Sequence, residues 1–163
     1  MSEWWIRNVR ELRWQENELG ASCEFDKHEE RFDELGINLN VLEPGQPLCR
    51  YHWEADQEDF LVLSGEALLI VEEEERPLRR WDFVHCPPET RHVIVGAGSG
   101  PSVILAVGAR VDSVDNSDWG GYPVSEAAAK HGASVDTETS LPEEAYAALP
   151  SRQPTRYRDG WLP

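Results

Sequence analysis

The sequence predicts an all-β sandwich or barrel, and three observations carry that prediction. Short apolar or alternating runs recur from Leu35 to Arg110, clusters of turn-forming residues separate them, and helical patterns are confined to the residues after Arg110. A chain of 163 residues is one ordinary domain, long enough to bury a core without disulfides or metal staples.

Residues 1–34 open with the aromatic run Trp4-Trp5-Ile6 and close in the charged segment Asp26 to Glu34. They show no helical period and are read as one or two strands with loops, packed on the barrel. Leu35, Ile37, Leu39 and Val41 then alternate with Gly36, Asn38 and Asn40, the period of a half-buried strand. Glu43-Pro44-Gly45-Gln46-Pro47 is a turn. Strands come next at Cys49 to Glu54, Asp59 to Leu63, Ala67 to Val71, Trp81 to Cys86, Val93 to Val95 and Val103 to Val107. Between two of them, the acidic run Glu72 to Glu75 reads as a solvated hairpin tip whose charge discourages edge pairing.

Beyond Arg110 the character changes. Val124 to His131 reads as a short helix closed by Gly132, and Leu141 to Leu149 as a second, with Pro142 early and Pro150 at its end. The tail from Arg152 to Trp161 gathers positive charge and aromatics, so it either folds back on the acidic body or a partner subunit, or stays loose. The expected organisation is therefore 1–34, a barrel over 35–110, and a C-terminal extension over 111–163, all within one domain.

Composition excludes several function classes. A formal charge of −16 repels phosphate, which argues against nucleic acid and anionic membranes as partners. Cys23, Cys49 and Cys86 are an odd set without close spacing, which favours a reducing compartment over a disulfide framework. The N-terminus lacks the pattern of a secretory signal, and no run approaches the roughly 20 apolar residues of a membrane span. The expected location is the cytoplasm.

Chemistry concentrates in two places. His52, Glu54 and Glu58 lie within one stretch that ends at Gly65, and Pro87-Pro88-Glu89-Thr90-Arg91-His92 answers it downstream. Imidazole and carboxylate groups converging on one point suit a divalent first-row metal and leave coordination positions open. Strand alternation puts Arg50, His52 and Glu54 on one face, opposite Tyr51 and Trp53. On the next strand Glu58, Phe60 and Val62 share a face. His85 and Cys86 alternate, so only one faces the interior, and a cysteine there reads as core packing rather than as a ligand. Trp4, Trp5, Trp53 and Trp81 read as core or subunit interface, and His28 and His131 receive no role.

These residues resemble the two sequence blocks of a small cupin, a double-stranded β-helix of the jelly-roll kind. Gly45, His52, Glu54, Glu58 and Gly65 stand at first-block positions, and Trp81, Pro87, Glu89 and His92 at second-block positions. The resemblance covers about Leu35 to Arg110. Four positions depart from the family: Glu54 replaces a second histidine, Trp81 and Glu89 stand where glycines are usual, and Gly96 stands where Asn is frequent.

The resemblance implies a cupin barrel with a short helical extension and one divalent ion (Mn, Fe, Ni or Zn) on His52, Glu58 and His92. Glu54 is then either a fourth ligand or a hydrogen-bonding neighbour of the ligands, and a candidate base. Arg50 either anchors an anionic substrate or pairs with Glu54. The leading expectation is an enzyme acting on a small oxygenated metabolite, of dioxygenase, decarboxylase or isomerase type. The alternative is a non-catalytic cupin that binds a small molecule, with or without metal. Cupins commonly dimerise through edge strands, so a homodimer is expected.

Overall fold

A computed structural model describes residues 4–26, 31–110 and 119–163. The strands are β1 (Trp14–Asn17), β2 (Gly20–Glu24), β3 (Leu35–Leu42), β4 (Trp53–Glu54), β5 (Glu58–Ser64), β6 (Glu66–Val71), β7 (Glu74–Arg79), β8 (Phe83–Cys86), β9 (His92–Ala97), β10 (Ser102–Ala109), β11 (Gly120–Gly121) and β12 (Gln153–Thr155). Two helices of a single turn each, α1 (Glu126–Ala129) and α2 (Pro142–Ala145), come after β11. The larger sheet runs β12-β1-β2-β3-β10-β5-β8, a smaller one runs β7-β6-β9, and β4 pairs with β11. Every strand pair is antiparallel. The all-β jelly-roll architecture is thus the observed one.

Register decides which side chains meet. In β3, Asn38, Asn40 and Leu42 lie opposite Ala106, Ile104 and Ser102 of β10. Ala106 and Ile104 in turn lie opposite Phe60 and Val62 of β5. These inward faces meet Leu69 and Ile94 of the smaller sheet in the main core. The alternate residues of β3, Leu39 and Val41, pack into a second core with Trp14, Cys23 and Trp161. The expected alternation of β3 is therefore present, but it separates two interiors and not an interior from solvent. Asn40 is buried, its amide donating to Asn38 Oδ1 at 2.6 Å.

Gly65 alone joins β5 to β6, where the chain passes from the larger sheet to the smaller. Its φ is +74°, and a Cβ there would lie 2.6 Å from the Pro101 carbonyl oxygen and 2.7 Å from Ser102 Cα. Only glycine meets both demands.

Several elements differ from expectation. The run expected as a strand from Cys49 to Glu54 keeps only β4 and a single bridge between His52 and His92. Strand β7, Glu74–Arg79, carries Pro77 and almost no apolar residue, so nothing in its sequence announces a strand. It is tolerated because it is an edge strand, where a missing N–H costs no ladder bond. The acidic run forms the expected solvated hairpin tip and has a second role besides. Glu72 and Glu73 form the two-residue turn between β6 and β7, with φ of 47° and 67°, the sign a type I′ turn requires at both positions. Glu73 Oε2 accepts the Ala127 N–H at 3.1 Å, and Glu75 meets His131 at 3.2 Å. The turn thus docks α1 against the smaller sheet, where Ala127, Ala128 and Ala133 pack on Tyr51, Ile70 and Val93. Ser125 caps α1 through the Ala128 N–H.

The tail folds back on its own chain: β12 pairs with β1, and Trp161 packs against Trp14 with ring centroids 5.0 Å apart. Arg158 pairs with Glu16 beside it. Trp4 and Trp81 do not enter the core, being 87% and 62% exposed, while Trp5 stacks on Phe32. His28 lies outside the described residues. Among the described residues no helix is long and apolar enough to cross a membrane.

Candidate metal centre

Two histidines from one side of the barrel meet a carboxylate from the other. His52 and His92 are backbone partners, each N–H donating to the other's carbonyl, at 3.1 Å and 2.8 Å. Such partners project their side chains to the same side, and the imidazole centroids stand 4.9 Å apart. Glu58 enters from the larger sheet, where it lies opposite Cys86 of β8 and Gly108 of β10. Its Oε2 is 3.1 Å from both His52 Nε2 and His92 Nε2. One potential ligand atom from each residue lies within 4.8 Å of the others.

The remaining ring nitrogens fix the tautomers. His52 Nδ1 lies 2.9 Å from the Arg50 carbonyl oxygen, and His92 Nδ1 lies 2.9 Å from that of Thr90. With Nδ1–H donating to a carbonyl, Nε2 is the nitrogen that presents a lone pair to the centre once its proton is displaced, the arrangement that orients a metal-binding imidazole. Glu58 as a carboxylate offers only lone pairs as well. His92 Nε2 is buried and makes no hydrogen bond of proper geometry, despite its nearness to Glu58. Three lone pairs facing one point, one of them orphaned, fit a divalent cation.

The electrostatics agree with that chemistry. Burial opposes charge on His52, yet Cys49, Glu54 and Glu58 outweigh it and lift its pKa well above the ordinary imidazole value. Burial likewise opposes charge on His92, but Cys86 and Glu58 raise it to about 10. Glu58 is held well below the usual carboxylate range by the two imidazoles, against the pull of its own burial. Protons and a metal ion compete for the same lone pairs.

The other expected site residues separate. Glu54 Oε1 is 3.7 Å from His52 Nε2, and Glu54 lines the same cleft as Glu58. It borders the centre without belonging to the tight group. Arg50 corrects both of its readings: it neither faces the cleft nor pairs with Glu54. Its Nη1 donates to the carbonyls of Gly132 at 2.8 Å and Ser134 at 3.2 Å, and its Nε to that of Ala145 at 3.3 Å. The backbone at Arg50 is not in a strand, so the alternation that would place it beside His52 does not apply. Cys86 is buried facing the interior, and His85 is outside, 2.6 Å from Asp59.

The cleft has a volume of about 320 Å³, and Asn38, Gly108, Arg110 and Trp119 line it besides the two glutamates. Sequence reasoning misses Asn38, although a polar residue on the alternate face of an apolar strand is an available signal.

Both family glycine positions keep the backbone that glycine normally serves. Trp81 has φ +75° and Glu89 has φ +68°. Pro87-Pro88-Glu89-Thr90 closes with Thr90 N–H on the Pro87 carbonyl, and its positive φ at the third position is that of a type II turn. The Glu89 N–H donates to the Glu54 carbonyl at 2.8 Å, so this turn also holds the segment that carries Glu54.

Residues 38–108 match the profile of the cupin domain. That stretch is a cupin domain. Its barrel also matches the solved structure of a Cupin 2 conserved barrel domain protein from Salinispora arenicola, with TM-score 0.54 and 21% identity over 66% of this chain and 89% of that one. Two further structures carry activity names. A sugar phosphate isomerase of the cupin superfamily from Silicibacter pomeroyi matches with TM-score 0.50 and 25% identity over 63% of this cupin and 62% of that chain. A protein provisionally named a sugar phosphate isomerase, from Acidithiobacillus ferrooxidans, matches with TM-score 0.50 and 29% identity over 58% and 62%. This cupin therefore spans less than two thirds of the length of either. None of the curated proteins matches its sequence.

Proposed function

We propose that this cupin is a mononuclear metalloenzyme that moves a proton between adjacent carbons of a small hydroxy-carbonyl compound, an isomerase-type reaction. The observation that carries the reading is a second carboxylate, Glu54, beside the ligand group His52, Glu58 and His92 and open to the same cleft.

A divalent ion on those three residues supplies a Lewis acid for a substrate oxygen. Glu54 Oε1 takes the proton from the hydroxyl-bearing carbon next to the carbonyl and returns it to the former carbonyl carbon, while the hydroxyl proton passes to the former carbonyl oxygen, so no atom or electron is lost. Asn38 offers an amide to a substrate hydroxyl. Arg31 and Arg110 line the cleft and favour an anionic substituent, although Arg110 also pairs with Asp26 at 2.7 Å. The two neighbours named as sugar phosphate isomerases support a phosphorylated sugar as the first substrate class to try. Exposed Phe83 on β8, an edge strand, and Trp81 beside it support a homodimer in solution.

The test is hydrogen exchange in D₂O, followed by NMR, on the Mn- or Ni-loaded protein with a panel of aldose and ketose phosphates. The expected result is deuterium at the carbon beside the carbonyl, lost in Glu54→Gln with metal content unchanged. Saturable binding without exchange by any metal form would replace this reading with the non-catalytic one. O₂ uptake by the iron form would redirect it to an oxygenase.

A further inference from the structure

A second cavity lies beyond Cys49, on the Nδ1 side of the His52 ring. Cys49 places its Sγ 3.5 Å from His52 Nδ1, whereas Nε2 faces Glu58. Cys49 lines a cavity of about 340 Å³ that shares no lining residue with the cleft over the metal ligands. That volume lies at the small end of the roughly 300–1,000 Å³ typical of ligand pockets.

The walls and the charge select a ligand chemistry. Leu19 and Leu48 bound the cavity on the barrel side, and Leu149 and Pro150 bound it on the side of the extension. Arg152 supplies the cation. Its Nη1 donates to Ser22 Oγ at 3.0 Å and to the Gly20 carbonyl at 3.4 Å. Its hydrogen bonds go to neutral oxygens, and the Glu24 carboxylate on β2 acts on this half-buried guanidinium through its field, in a chain of net charge −16. Taking a guanidinium out of water on neutral hydrogen-bond partners is costly. The rim is ordered: Asn17 donates to the Pro150 carbonyl at 3.1 Å and accepts the Leu19 N–H at 2.9 Å. Tyr146 accepts the Arg50 N–H at 3.1 Å.

We propose that this cavity binds a small organic monoanion, with its acid group on Arg152 and its apolar part against Leu19, Leu48, Leu149 and Pro150. The apolar walls disfavour strongly hydrated inorganic ions, and the single guanidinium suits one carboxylate. The site is separate from the substrate cleft and does not depend on the reaction proposed there.

Cys49 is a built-in reporter, because Cys23 and Cys86 are buried and Cys49 is partly exposed. The experiment measures the rate of N-ethylmaleimide labelling of the chelator-treated full chain by intact mass, with butyrate, butyramide or inorganic phosphate present. Butyrate at ten times its Kd is expected to slow labelling about tenfold by mass action, while neutral butyramide leaves it unchanged. Arg152→Gln should remove the protection. Arg152 also ties down β2, so a second variant, Leu149→Trp, fills the cavity and keeps the guanidinium. It should label slowly and respond to no anion. Three results would overturn the proposal: wild-type labelling unaffected by butyrate, equal protection of Arg152→Gln, or protection by phosphate as strong as that by butyrate.

Discussion

His52 and His92 exchange both backbone hydrogen bonds across an isolated bridge, at 3.1 Å and 2.8 Å, so their imidazoles leave the chain side by side. Because the pairing is backbone-made, the candidate metal centre is fixed by the fold and does not wait for an ion to assemble it. A site of this kind behaves as a preformed trap that each ligand residue completes.

Replacing one of the three candidate ligands is therefore expected to remove metal and to leave the barrel intact. His52→Ala is expected to bind Mn or Ni at least about 100-fold more weakly, beyond the 10–100-fold that disturbing a supporting hydrogen bond costs. Wild type should gain about 2.7 kcal/mol of stability at metal concentrations one hundred times its Kd, and the variant at most about 0.4 kcal/mol at the same concentration. Thermal unfolding with and without ion, beside elemental analysis, checks both. Equal metal content in wild type and variant contradicts the assignment.

Metal affinity should rise with pH. His52 and His92 have raised pKa values, so both imidazoles hold protons at neutral pH that an ion must displace. Glu58 is lowered and is already a carboxylate. Binding near pH 7 should release up to about two protons, and affinity should climb until pH approaches the His92 value of about 10. Calorimetry in buffers of different ionisation enthalpy counts those protons. The metal-free fold should respond oppositely. The charged imidazoles contribute fully below the unfolded value of about 6.5, and that contribution fades as pH rises through the folded ones. A pH-independent affinity between 6 and 9 would contradict protonation of the two imidazoles in the metal-free centre.

Two of the four described non-glycine residues with left-handed backbone, Trp81 and Glu89, stand where the family has glycine, and this can be tested by placing glycine there. Relief at Glu89, φ +68°, is worth about 1–2 kcal/mol, of which glycine's extra unfolded-state freedom takes back about 0.4–1. Glu89→Gly is thus expected to stabilise the protein by about 0.5–1 kcal/mol in urea unfolding. Trp81→Gly should gain less, because Arg80 stacks on the Trp81 ring at 4.8 Å and that contact, about 0.5–1 kcal/mol, is lost. Destabilisation by Glu89→Gly would mean that its side chain does more than tolerate the turn.

Much of the fold and of the metal centre is legible in the sequence, and the failures share a cause. His52, Glu58 and His92 can be read because their spacing to Gly65 and to the Pro87-Pro88 turn matches the two sequence blocks of the family. Gly65 is readable for the same reason. Arg50 is misread when a period-2 argument is extended through residues that are not in a strand. Strand β7 escapes notice because an edge strand needs neither apolar alternation nor every N–H. The role of Glu73 cannot be read at all, since it depends on where α1 packs, more than fifty residues later in the chain.

Glu73→Ala should loosen α1. The carboxylate accepts the Ala127 N–H at 3.1 Å, and bonding to Ser125 and the start of the helix lowers its pKa. Losing a capping acceptor of this kind costs about 1 kcal/mol. Hydrogen exchange at Ala127 and Ala128 should accelerate in the variant, while exchange in β9 and β10 stays unchanged. Uniform acceleration across the barrel would instead make the contact part of global stability.

Arg50 gives the sharpest contrast between a substrate anchor and a clamp. Its guanidinium donates to three carbonyls of the extension, and its N–H bonds Tyr146, so it ties the loop before His52 to residues 132–146. Hydrogen bonds from a charged donor contribute about 1.5–3 kcal/mol each when the partner is left unsatisfied, but half-exposed carbonyls regain water. Arg50→Ala is therefore expected to cost about 2–3 kcal/mol in total, with metal stoichiometry unchanged. Arg50→Lys should recover only part of it, because an ammonium cannot reproduce the planar fork. A substrate anchor would behave differently. It would raise KM for an anionic substrate and leave unfolding alone, and that pattern would return Arg50 to the cleft.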